Sequence, residues 1–240
     1  MNLKILNLSF LFLLSNFSFS QNDISFDRPG ITDLFNTVEK SKLQFEIGYD
    51  YFNQLKNQSK IPTVTTRFGI NNSMELRFVI DYGFYSHSTI NNFDSLGINA
   101  VSLGLKKSFF TSSNWNFSMM TNFKYGKTSD KKNYYGVDLL MIIQRNINNL
   151  DFICNVGVIN ENLNFKNKFF IGNCISYDLS ENHAMFVEDF FFIFNEKKYE
   201  HGNIIGYTFQ KKKYQFDFSI GSIKVKKGNI FIGLGYSFLI

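Results

Sequence analysis

Apolar and polar residues alternate along almost the whole chain from Leu43 to Phe238. In the last segment, one face carries Ile230, Ile232, Leu234, Tyr236 and Phe238, and the other carries Asn229, Phe231, Gly233, Gly235 and Ser237. Because successive side chains of a β-strand point to opposite faces, this period of two predicts strands. We count twelve such runs, at residues 43–53, 61–70, 74–86, 97–107, 115–126, 134–145, 150–159, 168–178, 184–195, 201–210, 213–222 and 229–239. Turn-forming residues separate them, as at 71–73, 146–149, 180–182 and 211–213.

The chemistry of the two faces indicates the fold class. The apolar face is large and aromatic on every run, whereas the polar face holds mainly Gly, Ser, Asn and Thr with isolated charges. A transmembrane barrel turns its apolar face to lipid and its polar face to the lumen. Runs of about 10 residues cross the hydrocarbon when tilted. The pattern predicts an all-β fold, a transmembrane antiparallel up-and-down β-barrel of about 12 strands with both ends in the periplasm. The alternative is a soluble, exported β-sandwich or barrel.

The N-terminal residues have the features of a signal peptide. Met1–Lys4 is basic, Ile5–Leu14 is apolar, and Ser18 and Ser20 are small residues at the two positions that a signal peptidase reads. We therefore predict three parts: a signal peptide (1–20), a periplasmic N-terminal segment (21–42), and an outer-membrane barrel (43–240). The second part either tucks into the lumen or forms a disordered tail.

Composition narrows the class of protein further. The chain has 240 residues, of which 18% are aromatic and 19% charged, and its formal net charge is +5. Disordered chains have few aromatic residues and a high net charge, so this chain is predicted to fold. Its positive excess is small and scattered, which argues against nucleic acid as a partner. The export signal and the strand pattern together predict the cell outer membrane of a Gram-negative bacterium.

Polar residues on the inward face are the candidates for lining the lumen. Both charge signs occur, which disfavours a ring of one sign built for ion selectivity. Either a salt-bridged network that stabilises the interior or a substrate site is compatible with them. Twelve strands enclose more space than the eight that side chains just fill, so a narrow pore or a plug has room. The candidates are Gln44, Glu46, Arg67, Glu75, Arg77, Asp81, Lys106, Lys124, Asp138, Glu188, Gln215 and Asp217, with Asp27 and Arg28 as residues of a possible plug.

One pair of residues conflicts with regular alternation. Glu188 and Asp189 are adjacent, so a regular strand must turn one carboxylate towards lipid. We expect Glu188 to face the lumen. We expect a β-bulge, or a position near the membrane interface, to accommodate Asp189.

Catalysis and metal binding have little support in the sequence. Barrel enzymes that act on lipid use a His and a Ser two residues apart on one strand face. The residues two positions after His87, His183 and His201 are Thr89, Met185 and Asn203. The three histidines also lack metal-ligand spacing, and no phosphate-binding or dinucleotide-binding motif occurs. We therefore expect no enzyme and no cofactor. Cys154 and Cys174 fall on opposite faces by the alternation, which predicts no disulfide.

The last run resembles the C-terminal signature of bacterial outer-membrane barrels, although its pattern ends at Phe238 with two residues beyond it. The resemblance implies recognition by the barrel-assembly machinery. The chain is also similar to a family of outer-membrane transporters of Bacteroidetes named for phenol meta-degradation clusters. Matching motifs are Asp27-Arg28-Pro29-Gly30, the run Leu43 to Tyr49, Phe186-Val187-Glu188, Gly206-Tyr207-Thr208-Phe209, the Gln215, Asp217, Ser219, Gly221 strand, and the ending Gly233 to Phe238.

The resemblance implies a barrel of roughly 12 strands and a transport role. We therefore predict a porin-like passive channel or transporter for a small solute, surrounded by outer-membrane lipid. A preference for hydrophobic or aromatic solutes comes from the resemblance alone. The alternatives are a non-conducting structural barrel and a barrel enzyme that acts on lipid.

Overall fold

The computed structural model describes residues 30–52, 58–85, 97–111, 114–127, 133–160, 168–195, 198–224 and 228–240. The predicted signal peptide (1–20), Asp27, Arg28 and His87 lie outside these residues.

Twelve antiparallel strands form a closed barrel in which each strand pairs with its sequence neighbours and the last pairs with the first. This confirms the predicted fold class. Among the described residues, no helix is long and apolar enough to cross a membrane. The strands are β1 (Leu43–Phe52), β2 (Gln58–Asn71), β3 (Met74–Tyr85), β4 (Gly97–Thr111), β5 (Trp115–Lys127), β6 (Asn133–Ile147), β7 (Leu150–Ile159), β8 (Lys168–Ser180), β9 (His183–Asn195), β10 (Lys198–Lys211), β11 (Tyr214–Lys224) and β12 (Gly228–Leu239).

Pairing between β1 and β12 closes the barrel. Their register runs from Gln44 opposite Leu239 to Phe52 opposite Phe231. Beyond the strand, the amide of Ile240 donates to the carbonyl of Leu43 at 2.7 Å, and the amide of Leu43 donates back at 3.1 Å. Both termini of the barrel therefore lie at the end where two-residue turns at 72–73, 148–149, 181–182 and 212–213 join the strands. We call it the turn end.

Several strands extend beyond the bounds predicted from alternation. β2 begins at Gln58 rather than at 61, β4 reaches Thr111 rather than 107, and β8 reaches Ser180 rather than 178. Backbone hydrogen bonding continues where side-chain alternation fades, as in the 2.8 Å bond from the Ser108 amide to the Ser73 carbonyl. Alternation in the sequence identifies only the part of a strand whose outward face is consistently apolar. The full length of the strand depends on backbone hydrogen bonds to its neighbours, which continue beyond that part.

The outward surface is apolar around most of the barrel. Large apolar side chains remain exposed at mid-strand, such as Leu103 at 51% and Leu139 at 50%. Charged and amide side chains are buried in the interior instead. Exposed aromatic residues also lie towards both strand ends: Trp115, Tyr177 and Tyr214 near the turn end, and Tyr125, Tyr135 and Tyr199 near the other. An apolar outer band with aromatic edges and a polar interior is the arrangement of a transmembrane barrel.

The two cysteines lie on opposite faces, as the alternation predicts. Cys174 is buried in the interior opposite Ile153, whereas Cys154 points outward opposite Asn173. Both thiols are free. Paired strands bring together only residues that share a face, so this register does not allow a disulfide.

A pair of matched substitutions tests the lipid-facing band. Leu103→Arg places a charge in the middle of β4 and should lower the free energy of unfolding by about 2–4 kcal/mol. Leu179→Arg is the control, because Leu179 is equally exposed at 52% but lies beside a turn. Its cost should be only about 0–1 kcal/mol near the interface. The measurement is denaturant unfolding in lipid vesicles, and small, equal effects at both positions would contradict a lipid-facing band.

Candidate functional site

Residues 30–42, which we call the inner segment, run inside the barrel before β1 begins. Val38 is 1% exposed and Thr32 is 6% exposed. Near the end of the segment, Lys40 forms a parallel bridge with Gly69 of β2, and the Ser41 amide donates to the Gly69 carbonyl at 2.8 Å. A Cβ at Gly69 would lie 1.9 Å from the carbonyl oxygen of Glu39, so this close approach requires glycine.

One side of the interior carries a charged cluster on β1 to β4, made of Glu46, Arg67, Glu75, Arg77 and Lys106. Arg67 is its centre: the guanidinium binds both carboxylate oxygens of Glu75, at 2.8 and 2.9 Å, and one oxygen of Glu46 at 2.9 Å. Glu46 also accepts a 2.7 Å hydrogen bond from the side-chain amide, Nε2, of Gln44. Bidentate pairing of this kind fixes the positions of both partners as well as attracting them.

The inner segment completes this charged cluster. The carbonyl of Asn36 accepts from Lys106 Nζ at 2.9 Å and from Arg67 at 3.2 Å. The amide of Val38 donates to Glu75 at 2.7 Å, and Asp33 pairs with Arg77 at 3.2 Å. With Asp33 included, three acids face three bases. The segment therefore supplies one of the charges that balance this wall.

Across the interior, Glu188 of β9 holds the beginning of the inner segment. The amide of Ile31 donates to both carboxylate oxygens at 2.9 Å. The amide and the hydroxyl of Thr32 also donate to Glu188. A Cβ at Gly30 would lie 2.1 Å from a Glu188 oxygen, so the backbone here approaches the carboxylate closely. Further along, the Phe35 amide donates to Gln144 of β6 at 3.2 Å.

The same wall also carries a large apolar cluster. Ten buried residues form one cluster, and Ile31, Leu34 and Phe35 of the inner segment pack against it. The cluster consists of Met120, Leu140, Ile142, Ile153, Phe170, Cys174, Phe186, Phe190, Ile204 and Phe231. The sequence predictions overlooked it because they assigned the inward face to polar residues. The continuous apolar runs at 139–143 and 190–194 could have revealed it, since such runs are apolar on both strand faces.

The remaining predicted residues also point inward, with different burial. Gln44, Asp138, Gln215 and Asp217 are buried, whereas Asp81 and Lys124 are only half-buried. Lys124 pairs with Asp138 at 2.5 Å across β5 and β6. A cavity of about 170 Å³ remains between the inner segment and the wall. Its lining includes Thr32, Leu34, Cys174, Phe186, Glu188 and Gln215.

The expectation for Asp189 was wrong. Glu188 does point inward, but Asp189 points outward in the middle of β9. No register shift occurs at this residue in its pairing with β8 or β10. Instead of a bulge or an interfacial position, a side chain of the neighbouring strand accommodates the carboxylate. Nε2 of His201 lies 2.5 Å from its Oδ1.

The two described histidines do not form a nucleophilic site. His183 contacts the Tyr207 hydroxyl, and His201 contacts Asp189. Both lie on the outward face, and within the described part of the chain neither imidazole has a serine hydroxyl as its hydrogen-bond partner. A Ser–His mechanism needs that contact together with a third, orienting group. Likewise, the described residues contain no group of three or more His, Cys, Asp or Glu that could hold a metal ion.

No protein-family model matches the chain, and no curated protein sequence does. Solved structures do match in fold. An outer membrane channel from Pseudomonas putida F1 superposes with a TM-score of 0.62 at 11% identity, over 89% of this chain and 99% of that one. The KdgM porin gives 0.58 at 12% identity, over 80% and 99%.

The outer membrane phospholipase A from Escherichia coli gives a TM-score of 0.51 at 12% identity, over 82% of this chain and 92% of that one. The fold of this chain is therefore that of outer-membrane barrels. Because this fold is shared by channels and by at least one lipid-directed enzyme, its function has to be argued from its own residues.

Replacing Arg67 tests how far the charged cluster supports the barrel. Arg67→Met leaves Glu46 and Glu75 buried without their guanidinium, which should cost about 3–5 kcal/mol of unfolding free energy. Lys124→Met is the control, because Lys124 also pairs with an interior acid but is 26% exposed. Its cost should be smaller, about 1–3 kcal/mol, because one buried carboxylate, Asp138, loses its cation rather than two. The free energy of unfolding of both variants is measured with denaturant. Equal decreases would show that the buried cluster does not stabilise the barrel more than the Lys124–Asp138 pair does.

Proposed function

We propose that this protein is an outer-membrane channel for the passive passage of a small solute, and that the inner segment restricts its lumen. The supporting observation is that residues 30–42 hydrogen-bond to opposite walls of the interior, to Glu75 and Lys106 on one side and to Glu188 on the other. The segment thus lies across space that the barrel wall itself does not fill. Displacing it would open a passage without breaking any strand pairing outside the Lys40–Gly69 bridge.

The contacts of the inner segment suit a reversible closure. Its polar contacts are hydrogen bonds and ion pairs, for which a net contribution of about 0.5–3 kcal/mol per bond is typical. Its apolar contacts are limited to a few side chains, among them Ile31, Leu34 and Phe35. The bonds also cluster at a few residues: one carboxylate, Glu188, receives all the donors of Ile31 and Thr32. Weakening that one carboxylate therefore releases the beginning of the segment.

The solute that we propose is small and hydrophobic or aromatic. Its support is the apolar wall, where Phe170, Phe186 and Phe190 are buried in the interior of the barrel. An aromatic solute would pack against these rings, and the charged cluster opposite would keep the path hydrated. The same preference is implied by the resemblance to the transporter family named for phenol meta-degradation clusters, and membership of that family is part of the proposal.

The proposal also includes the route to the membrane. A signal peptide at residues 1–20 would direct export, and β12 would be the strand that the barrel-assembly machinery recognises. The turn end of the barrel would then face the periplasm. The inner segment would enter the lumen from that side, because Lys42 is adjacent to β1 at the turn end.

Conductance in planar lipid bilayers tests this function. The mature chain should give small, rarely open channels. Glu188→Gln removes the charge that accepts from Ile31 and Thr32, and the loss of about 1.4 kcal/mol would raise the open fraction roughly tenfold. Asp189→Asn is the matched control, because the same change one residue away lies on the outward face and should leave conductance unaltered.

A deletion of residues 21–38 provides the second arm of this test. It leaves the Lys40–Gly69 bridge intact and should open the lumen more fully than Glu188→Gln. Flux of a monoaromatic probe into liposomes should then exceed that of a charged sugar of similar size. A folded deletion variant with no conductance would contradict a channel and favour the non-conducting structural barrel.

A further inference from the structure

A row of polar side chains crosses the outward face of the barrel. Asp189 of β9 lies directly opposite Asn173 of β8 and Asn203 of β10. All three point outward, together with His201, which contacts Asp189 at 2.5 Å and stacks on Phe191 with 4.4 Å between ring centroids. We call Asn173, Asp189, His201 and Asn203 the outer polar stripe.

The outer polar stripe lies at the depth of the hydrocarbon core. Asp189 is the central residue of β9, six residues from His183 at one end and six from Asn195 at the other. A rise of about 3.3 Å per residue at a tilt of about 40° puts it roughly 15 Å from both strand ends. Lipid headgroups lie near the strand ends, so they do not reach Asp189 or the amides directly opposite it.

Lipid does not satisfy these side chains. Hydrocarbon offers no hydrogen-bond partner, and a polar group left unpaired there is strongly disfavoured. Asp189 and His201 pair with one another, but within the described part of the chain neither the Asn173 nor the Asn203 side chain makes a hydrogen bond. At the other described mid-strand outward positions the chain places mainly apolar residues such as Leu103 and Leu139, with threonine at 66 and 121, and no charged or amide side chain. The stripe is therefore a local exception that lipid contact does not explain.

We propose that the outer polar stripe is the contact surface for a second copy of this chain, inserted in the same orientation. The stripe contains both donors and acceptors, so that it can hydrogen-bond to a copy of itself. Its two amides donate and accept, and it also has one carboxylate and one imidazole. Rotation about an axis along the membrane normal brings identical residues to the same depth. The Asn173 and Asn203 amides of one copy then donate to the Asp189 carboxylate of the other, which gives both amides a partner that neither has within the described part of its own chain.

Other occupants fit the stripe less well. A partner protein of one charge sign would be matched by a surface of the opposite sign, whereas this stripe combines one carboxylate with an imidazole and two amides, so that it offers both donors and acceptors. The residues around the stripe also suit close packing between two similar walls. Val187, Ile175 and Ile205 are exposed aliphatic side chains on the same three strands, at 56%, 48% and 46%. They would form the apolar part of the interface around its polar centre.

Cysteine cross-linking in native outer membranes tests this interface. The full-length chain is expressed with Cys154→Ser and Cys174→Ser, and Val187→Cys is added beside Asp189. Leu103→Cys is the matched control, because it is similarly exposed at 51% and lies mid-strand on β4, on another part of the wall. A short, membrane-permeant bismaleimide should give a product of twice the monomer mass at 187, at least tenfold more than at 103.

Removing the stripe should remove the dimer without unfolding the barrel. In the Val187→Cys background, Asn173→Leu, Asp189→Leu and Asn203→Leu together should reduce the cross-linked product at least tenfold. Heat-dependent migration on SDS gels checks that the barrel remains folded. If the triple variant does not fold, Asn203→Leu alone, which leaves the Asp189–His201 pair intact, should lower the yield severalfold.

Three results would overturn the proposal. The first is equal cross-linking at 187 and 103, which random collision would produce. The second is no product at 187 together with none at Ile205→Cys, the neighbouring position on β10. The third is a product at 187 whose mass is not twice that of the monomer, which would identify a different partner. None of these readouts depends on solute passage, so the interface and the channel are tested separately.

Discussion

The closure of β1 onto β12 is the constraint on which the rest of the structure depends. In a bilayer, every backbone amide and carbonyl needs a partner within the protein, and an open sheet edge has none. The register from Gln44 opposite Leu239 to Phe52 opposite Phe231 removes both edges at once. Once the sheet is closed, each residue can only point outward to lipid or inward to the lumen. The period of two along the chain is the direct consequence, and every other feature follows from which residues occupy the two faces.

Closure also creates an interior that twelve strands do not fill with their own side chains. The inner segment takes up part of this space, and the two walls hold it by different physical means. On β1 to β4, it supplies Asp33 and backbone groups to a buried set of charges. On the opposite wall, Glu188 accepts its amides while Leu34 and Phe35 pack against buried aromatic rings. The segment is therefore adapted to both walls through its own sequence, although it belongs to neither.

Alternation in the sequence was enough to predict the strand number, the closed fold and the face of most side chains, because each depends only on residue parity. It did not predict the apolar cluster, because strands such as β6 carry apolar residues on both faces. The path of residues 30–42 could not be predicted from alternation either, because it depends on contacts with residues as distant in the sequence as Glu188. Nor did alternation align Asn173, Asp189 and Asn203, because that alignment requires the strand registers. Whether the inward residues line a solute path stays a proposal.

Glu188 and Asp189 are adjacent carboxylates of one strand that obtain hydrogen-bond donors in two different environments. Both are carboxylates outside bulk water, and each therefore needs donors that the barrel provides. Facing inward, Glu188 obtains them from the backbone of Ile31 and Thr32, which ties it to the inner segment. Facing outward, Asp189 pairs with His201, and among the described residues the adjoining Asn173 and Asn203 amides have no hydrogen-bond partner. The inward acid binds a segment of its own chain that could be displaced, whereas the outward acid lies beside two amides that the described residues leave without partners, which is why the first suggests a closure and the second an interface.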